Sequence, residues 1–458
     1  METEEKNTKM LFTNKDLKKL IIPLIIEQIL VIAVGMADTV MIAGVGEAAV
    51  SGVSLVDTLN VLIINILSAL ATGGAVAAGH YLGQKDKENA CKSAWQLVLF
   101  AILLALGITV VFIGLHDVIL HKVFGSIEPL VMENAKSYLL ITALSFVPLA
   151  VYNAGAALFR AMGNSKATMY VSTVMNAINI GGNAIMIYGL KMGVVGAAIP
   201  TTISRTVAGI IIFVMLFQKK RDINIRGQLT WRLHLDMIKK ILYVGVPNGL
   251  ENSLFQLGKI LLLSLISTIG TTAIAANAVA NTITMFNILP GIAIGYAQLS
   301  TVSICIGAGD AKQAKYYSMK LMKITYAGMT IMSVLIFFTV DYILKIYGLS
   351  AETQRLAREV IRFHNIMALI SWIPSFATPN SFRAAGDVIL PMVIAIISMW
   401  VFRIAAAYIL TVQFGMGLMG VWVAMTIDWA FRAICYTIRY WKGTWLKHIE
   451  PARLNRVG

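Results

Sequence analysis

Nine charged side chains sit inside long apolar stretches of this chain: Glu27, Asp38, Asp57, Arg205, Glu251, Lys259, Arg403, Asp428 and Arg432. A charge at membrane depth is costly, and it persists where it faces a partner, a cavity or an ion pathway. Glu27 and Asp38 are eleven residues apart, close to three helical turns, which puts both carboxylates on one face of one helix. At ~1.5 Å rise per residue they lie roughly 16 Å apart along its axis. Two acids on one stripe at different depths suit a proton or cation relay, and Asp38 is the first candidate for it because its charged form is disfavoured away from water. For Glu27 a hydrogen-bonded lock between helices is the equal alternative. Asn176, Asn179 and Asn183 fall at i, i+3 and i+7 and share a helix face. That stripe against Asp38 makes a polar pocket; plain interhelical hydrogen bonding is the other reading. Asp428 and Arg432, four apart, read as an intrahelical ion pair. Arg205 and Arg403 read as positioning cations with no partner nameable from sequence. The candidates for substrate contact are Glu251, Asp57, Asn176, Tyr296 and Gln256.

The elements that hold these residues follow from composition. With 58% hydrophobic and 13% charged residues and a mean hydropathy of +0.75, a soluble fold would leave too much apolar surface in water. Apolar stretches near the ~20 residues needed to cross a bilayer recur almost end to end. Twelve are expected, at about 20–44, 52–79, 94–115, 137–159, 168–190, 193–217, 241–269, 274–304, 320–340, 363–382, 388–411 and 419–440. The chain also repeats itself at an offset of 224: Pro23 and Glu27 return as Pro247 and Glu251, and Gly83 and Asp86 return as Gly307 and Asp310. Phe159-Arg160-Ala161-x-Gly163 returns as Phe382-Arg383-Ala384-x-Gly386, one residue out of that register. An even number of spans per repeat makes the duplication parallel, with its pseudo-two-fold axis along the membrane normal.

Lysines and arginines set the orientation. They gather in the first tail (Lys6, Lys9, Lys15, Lys18, Lys19) and in alternate loops (Lys85, Lys87, Lys92; Arg160, Lys166; Lys219 to Lys240; Lys312, Lys315, Lys320, Lys323; Arg383). By the positive-inside rule both termini are cytoplasmic. The net charge of +15 is thereby a topology signal, with no nucleic acid partner implied. The expected organisation is an N-terminal tail 1–19, a first lobe 20–217, a basic linker 218–240 with a short amphipathic helix at 233–242, a second lobe 241–443 and a C-terminal tail 444–458. No cleavable signal peptide is expected, because the first 19 residues are polar. The three cysteines lack C-x-x-C spacing and suggest neither a disulfide nor a metal site. No H-E-x-x-H, G-x-x-x-x-G-K-[ST] or usable G-x-S-x-G occurs, so neither catalysis nor ATP use is expected.

At this point the residues resemble a known family. Pro23-x-x-x-Glu27-Gln28 followed by Ala37-Asp38-Thr39-Val40-Met41-x-Ala43-Gly44 is similar to the first span of multidrug and toxic compound extrusion (MATE) transporters. Arg160-Ala161-Met162-Gly163-Asn164, Leu289-Pro290-Gly291-Ile292-Ala293, Arg383-Ala384-Ala385-Gly386-Asp387 and Gly417-Leu418-Met419-Gly420-Val421-Trp422 fit in the same order, from about residue 20 to 443. The resemblance implies an all-α membrane protein of the cell membrane, with two six-helix lobes around a V-shaped cavity. It implies antiport of small cationic amphipathic drugs against protons or sodium, without a cofactor, by a monomer. The family's first-span acid falls on Asp38, its span-4 asparagine on Asn153, and its span-5 pair on Asn179 and Asn183. Asn183 replaces a carboxylate many members carry, which leaves Asp38 with Glu27 as the remaining coupling candidates of the first lobe. Protons are the expected coupling ion, with sodium at Asp38 and Asn179 as the alternative. Protonation of Asp38 would loosen its contact with the asparagine stripe and let the first span shift. The methionines, with Phe286, Tyr296 and Trp400, are candidates to line an adaptable cavity. A lipid-linked sugar flippase of the same superfamily is the alternative function. In the repeat register Asp38 falls on Leu262 and Asn179 on Arg403, which points to the first lobe as the ion-coupling one.

Overall fold

The computed structural model describes residues 10–125 and 127–449, and among these every regular element is helical. Away from water, a helix is the way one segment satisfies its own backbone hydrogen bonds. The first half runs α1 (Asn14–Ala43), α2 (Glu47–Gly83), α3 (Lys87–Gly114), a short α4 (His116–Phe124), α5 (Pro129–Ala143), α6 (Phe146–Ala161), α7 (Ser165–Asn183, continued as a π-helix over Ala184–Gly189) and α8 (Val195–Leu216). The second runs α9 (Leu235–Ile269), α10 (Thr271–Gly307), α11 (Ala311–Ile346), α12 (Ala351–Ala384), α13 (Ile389–Gln413) and α14 (Gly417–Trp441). Among the described residues ten helices are long and apolar enough to cross a membrane, eleven if α5 and α6, bent by 51°, count as one span. Against the twelve expected, α7 is the one missing, because its asparagines lower its hydropathy.

Four sequence expectations need correction. The span at 137–159 begins earlier, at Pro129, and is broken at Leu144–Ser145. There the Ser145 hydroxyl donates to Thr142 O (2.6 Å) and accepts from Arg205 Nη1 (3.0 Å), so polar side chains occupy the break. The span at 363–382 starts at Ala351. No separate amphipathic helix forms at 233–242, since α9 starts at Leu235 and runs on without interruption. Arg160 and Arg383 are helical and turned inward rather than placed in loops. Lys6, Lys9 and the tail from residue 450 lie outside the described residues.

The two halves meet at the end that carries the described start and finish of the chain, and they meet symmetrically. A Cβ on Gly83 would sit 2.1 Å from Ile304 O, and one on Gly307 would sit 2.1 Å from His80 O. Each of these residues is its counterpart's repeat partner at offset 224, and Gly79 faces its own partner Ser303. A reciprocal contact of this kind is the mark of a two-fold axis, here running between α2 and α10. His80 Nε2 also reaches Ala384 O across the junction at 2.7 Å.

Two further straps cross or brace this end. Leu17, Leu20, Ile21 and Leu24 of α1 enter a core with Val302, Tyr317 and Trp372 of the second half. Phe12 N donates to the Tyr317 hydroxyl (3.0 Å), which donates back to Phe12 O (2.6 Å). The linker is welded to α3: Trp95 Nε1 donates to Thr230 O (2.7 Å), Gln96 Nε2 to Arg232 O (3.0 Å), and Ile223 and Ile225 are fully buried. At the other end α1 is exposed, with Val31 and Val40 uncovered.

Candidate functional site

The polar centre of the first half is built on Asp38, where α1 meets α7. Asn183 Nδ2 donates to Asp38 Oδ1 at 2.7 Å. With its amide turned so that Nδ2 faces the carboxylate, Asn179 donates to Asp38 Oδ1 at 2.8 Å and accepts from Thr201 Oγ1 of α8 at 3.0 Å. The stripe on α7 works because residues four apart stack on one face, so both amides reach the same carboxyl. Asp57 on α2 takes a bond from Asn60 Nδ2 (3.3 Å) and lies within electrostatic reach of Arg205 and Asp38. Asn183 is the last residue before the π-helical turn of α7, the kind of irregularity that re-aims a backbone at working positions.

Glu27 lies lower on the same face of α1 and meets α7 too. Its Oε2 accepts from the Thr168 hydroxyl at 2.7 Å, and its Oε1 faces Arg160 Nη1 at 3.5 Å. The Arg160 guanidinium stacks 4.8 Å from the ring centroid of Tyr296 in the other half. In the second half Glu251 Oε2 accepts from Arg383 Nη2 at 2.7 Å, and Arg383 also donates to Asn380 Oδ1 at 3.1 Å. A cavity of about 270 Å³ opens beside this pair, with Asn252, Phe255, Tyr296, Phe376 and Thr72 of α2 in its wall.

Of the substrate-contact candidates, Glu251 and Tyr296 line this cavity, whereas Asp57, Asn176 and Gln256 do not. Asn176 Nδ2 reaches only Ser172 Oγ, at 3.5 Å, within its own helix. The buried amide nitrogen of Asn153 has no hydrogen-bond partner among the described residues, Asp38 included. Asp428 and Arg432 form the expected i,i+4 pair, at 2.9 and 3.1 Å, and Arg403 Nη1 joins from α13 at 3.6 Å. Phe286 packs into the core of the second half, and Trp400 is exposed.

Sequence reasoning misses Arg160 and Arg383 as ion-pair partners, since arginines at helix ends are indistinguishable from loop charges in the sequence. Their repeat at offset 223, beside the repeat of Glu27 and Glu251 at 224, was the signal that could have paired them. Thr168 and Thr201 carried no comparable signal.

Comparison with known proteins adds a second line of argument. The family model MatE matches residues 23–185 and again residues 247–409, two segments separated by the same 224 residues as the repeat. The chain is 27% identical over 432 residues to "Uncharacterized transporter YisQ" of Bacillus subtilis (strain 168), covering 93% of each chain. It is 25% identical over 454 residues to "Probable multidrug resistance protein NorM" of Thermotoga maritima, covering 97% of this chain and 96% of that one. Its fold matches a structure described as the outward-facing conformation of a multidrug resistance MATE family transporter of the MOP superfamily, with a TM-score of 0.89 at 23% identity over 94% of this chain and 96% of that one.

Proposed function

The chain belongs to the MatE family of multi-pass membrane transporters, and we propose that it is a proton-coupled exporter of small amphipathic drugs bearing a positive charge. The observation that carries this reading is Asp38, held by two amide donors of α7. Ionised, Asp38 accepts from both Asn179 and Asn183 and ties α1 to α7. Protonated, it loses the charge those donors stabilise, and charge-assisted bonds are about twice as strong as neutral ones. Proton uptake therefore weakens the tie, α1 shifts, and the cleft changes its preference for drug; loss of the proton to the other side resets it.

Twelve spans are proposed, with α5 and α6 as one broken span and α7 as a polar span sheltered by α1 and α8. The chain then divides into lobes 20–217 and 241–443 joined by the linker 218–240, and it works as a monomer in the cell membrane. Both termini are cytoplasmic, consistent with Lys85, Lys87, Lys312 and Lys315 at the end where the halves touch. The contact there leaves the cleft open outward. No cofactor or catalytic step is proposed. The flippase reading is not favoured, because relatives such as the Thermotoga maritima and Bacillus thuringiensis proteins carry multidrug resistance names.

The test is transport in proteoliposomes with a fluorescent cationic dye. An imposed pH gradient is expected to drive efflux, an imposed sodium gradient alone is not, and Asp38→Asn is expected to abolish the response. Drive by sodium alone would move the assignment to a sodium ion at Asp38 and Asn179. Undiminished efflux in Asp38→Asn would sink the mechanism.

A further inference from the structure

The second half holds positive charge that the coupling scheme does not use. Three cations surround one ring: Lys259 Nζ, Arg403 Cζ and Arg432 Cζ lie 5.3, 4.9 and 5.4 Å from the centroid of Phe255. One carboxylate serves the two arginines. Asp428 is fully buried, takes two bonds from Arg432, faces Arg403 at 3.6 Å, and also accepts from the Ser398 hydroxyl. Glu251, two turns below Lys259 on α9, is committed to Arg383 at 2.7 Å. Lys259 therefore has no carboxylate within ion-pair distance among the described residues. Three cations against one anion leave this cluster at +2.

A surplus of that size is expensive inside a membrane, and cation–π contacts of roughly 0.5–2 kcal/mol each offset only part of it. Donors are in surplus as well. Arg403 is buried, yet its Nε has no acceptor among the described residues, and neither has the buried Nε1 of Trp429. The Trp429 ring lies 5.9 Å from Phe376, which Arg432 overlies at 5.3 Å. A site short of negative charge and short of acceptors is completed by an anion. It is also reachable: Phe255, Phe376 and Arg432 line the cavity of about 270 Å³, and Lys259 lies exposed one turn beyond Phe255 on the same helix face. Aromatic walls ending in cations fit a flat amphipathic body that bears a carboxylate. In the first half the balance is opposite, with Asp38 and Asp57 against Arg205.

We infer that the second half of the cleft recognises the carboxylate of a zwitterionic amphipathic substrate, held by Lys259, Arg403 and Arg432, with the cationic end of that substrate toward the first half. The inference rests on the export reading and narrows it. A purely cationic compound is repelled at this end of the cleft, and a zwitterion is not.

The experiment uses the purified full chain in detergent and two dyes: rhodamine B, which carries a free carboxylate beside its cationic ring system, and its ethyl ester, which has lost the carboxylate charge. Fluorescence anisotropy is expected to show rhodamine B bound about tenfold or more tightly than the ester, the scale of one charge-assisted hydrogen bond. Lys259→Met is expected to remove most of that preference, by weakening rhodamine B binding and by relieving the repulsion of the cationic ester, and Lys259→Arg to keep it. Lys259 is exposed, so its replacement leaves the core intact. Equal affinity for the two dyes overturns the inference, as does a preference that survives both Lys259→Met and Arg403→Gln. In vesicles, export of the ester alone, unchanged by Lys259→Met, overturns the inference and leaves the export reading standing. Export of neither dye under any gradient sinks the export reading, while the anisotropy preference still decides the carboxylate site.

Discussion

The two halves share a scaffold and differ where charge is handled. At the base of each, a glutamate from its first helix meets an arginine from the helix before its Arg-Ala turn: Glu27 with Arg160 at 3.5 Å, Glu251 with Arg383 at 2.7 Å. Asp86 and Asp310 cap equivalent helices, and Gly83 and Gly307 make reciprocal contacts across the junction. Higher up, the likeness stops. Asp38 of the first half corresponds to Leu262, buried in an apolar core, and Asn179 corresponds to Arg403. One half thus keeps an acid held by amide donors, with Asp57 nearby, and the other keeps cations around an aromatic ring. Duplication supplied the frame, and polarity was then assigned to each half separately.

The largest expected effect tests that division. Asp38→Asn should reduce pH-driven dye efflux to the level of empty vesicles, and Leu262→Asp, its mirror, should give no second coupling site. An efflux assay on both variants checks this, and gain of coupling in the second half would erase the contrast.

The matched ion pairs come next. Removing one member of a buried pair leaves the other charge uncompensated, which costs ~3–5 kcal/mol. Glu251→Gln should therefore lower the unfolding temperature in detergent strongly. Glu27→Gln should do so less, because its arginine is farther away and stacks on Tyr296. The double replacement Glu251→Leu with Arg383→Leu should recover most of the loss. Equal losses at 27 and 251 would show that the pairs are energetically equivalent despite their geometry.

The junction is where symmetry is closest. Gly83→Ala and Gly307→Ala each push a methyl into backbone, an overpacking cost of ~1–3 kcal/mol that bears only on the form in which the halves touch here. Both should shift the population away from that form, read as faster thiol labelling of Ser303→Cys. A shift in one and not the other would break the two-fold relation.

The smallest effect should be the most symmetrical. Asp86 Oδ1 accepts from Asn89 N (3.0 Å) and Asp310 Oδ1 from Gln313 N (2.9 Å), so Asp86→Ala and Asp310→Ala should each cost ~1 kcal/mol in thermal unfolding. Hydrogen bonding from Asn89 holds the Asp86 carboxyl below its ordinary value of 3.8. A depressed value in the folded state means this contribution is present above that value and is lost as pH falls through the lowered one. The Asp86→Ala penalty should accordingly fade in strong acid.

Much of this contrast could be read from the residues alone, because the same register that aligns Glu27 with Glu251 exposes the mismatch of Asp38 with Leu262. The asparagine stripe was legible because helical periodicity is local, and its meeting with Asp38 follows once two neighbouring helices pack. The arginine partners were not legible. Arg160 and Arg383 sit at helix ends, where a charge in headgroup water and a charge turned inward look the same in sequence. The buried linker was hidden for a similar reason, since two isoleucines among polar residues carry no period.

What the sequence determined by itself is the membrane setting, the duplication, its parallel sense and the location of the odd acid, all of which depend on hydropathy and register along the chain. Tertiary structure decided which charges neutralise one another. Glu27 and Arg160 are 133 residues apart, and Glu251 and Arg383 are 132 apart. Coulomb energy falls with distance in space and is blind to distance in sequence. Only the packed helices could show that two arginines of the second half share one carboxylate while Lys259 joins them around the Phe255 ring.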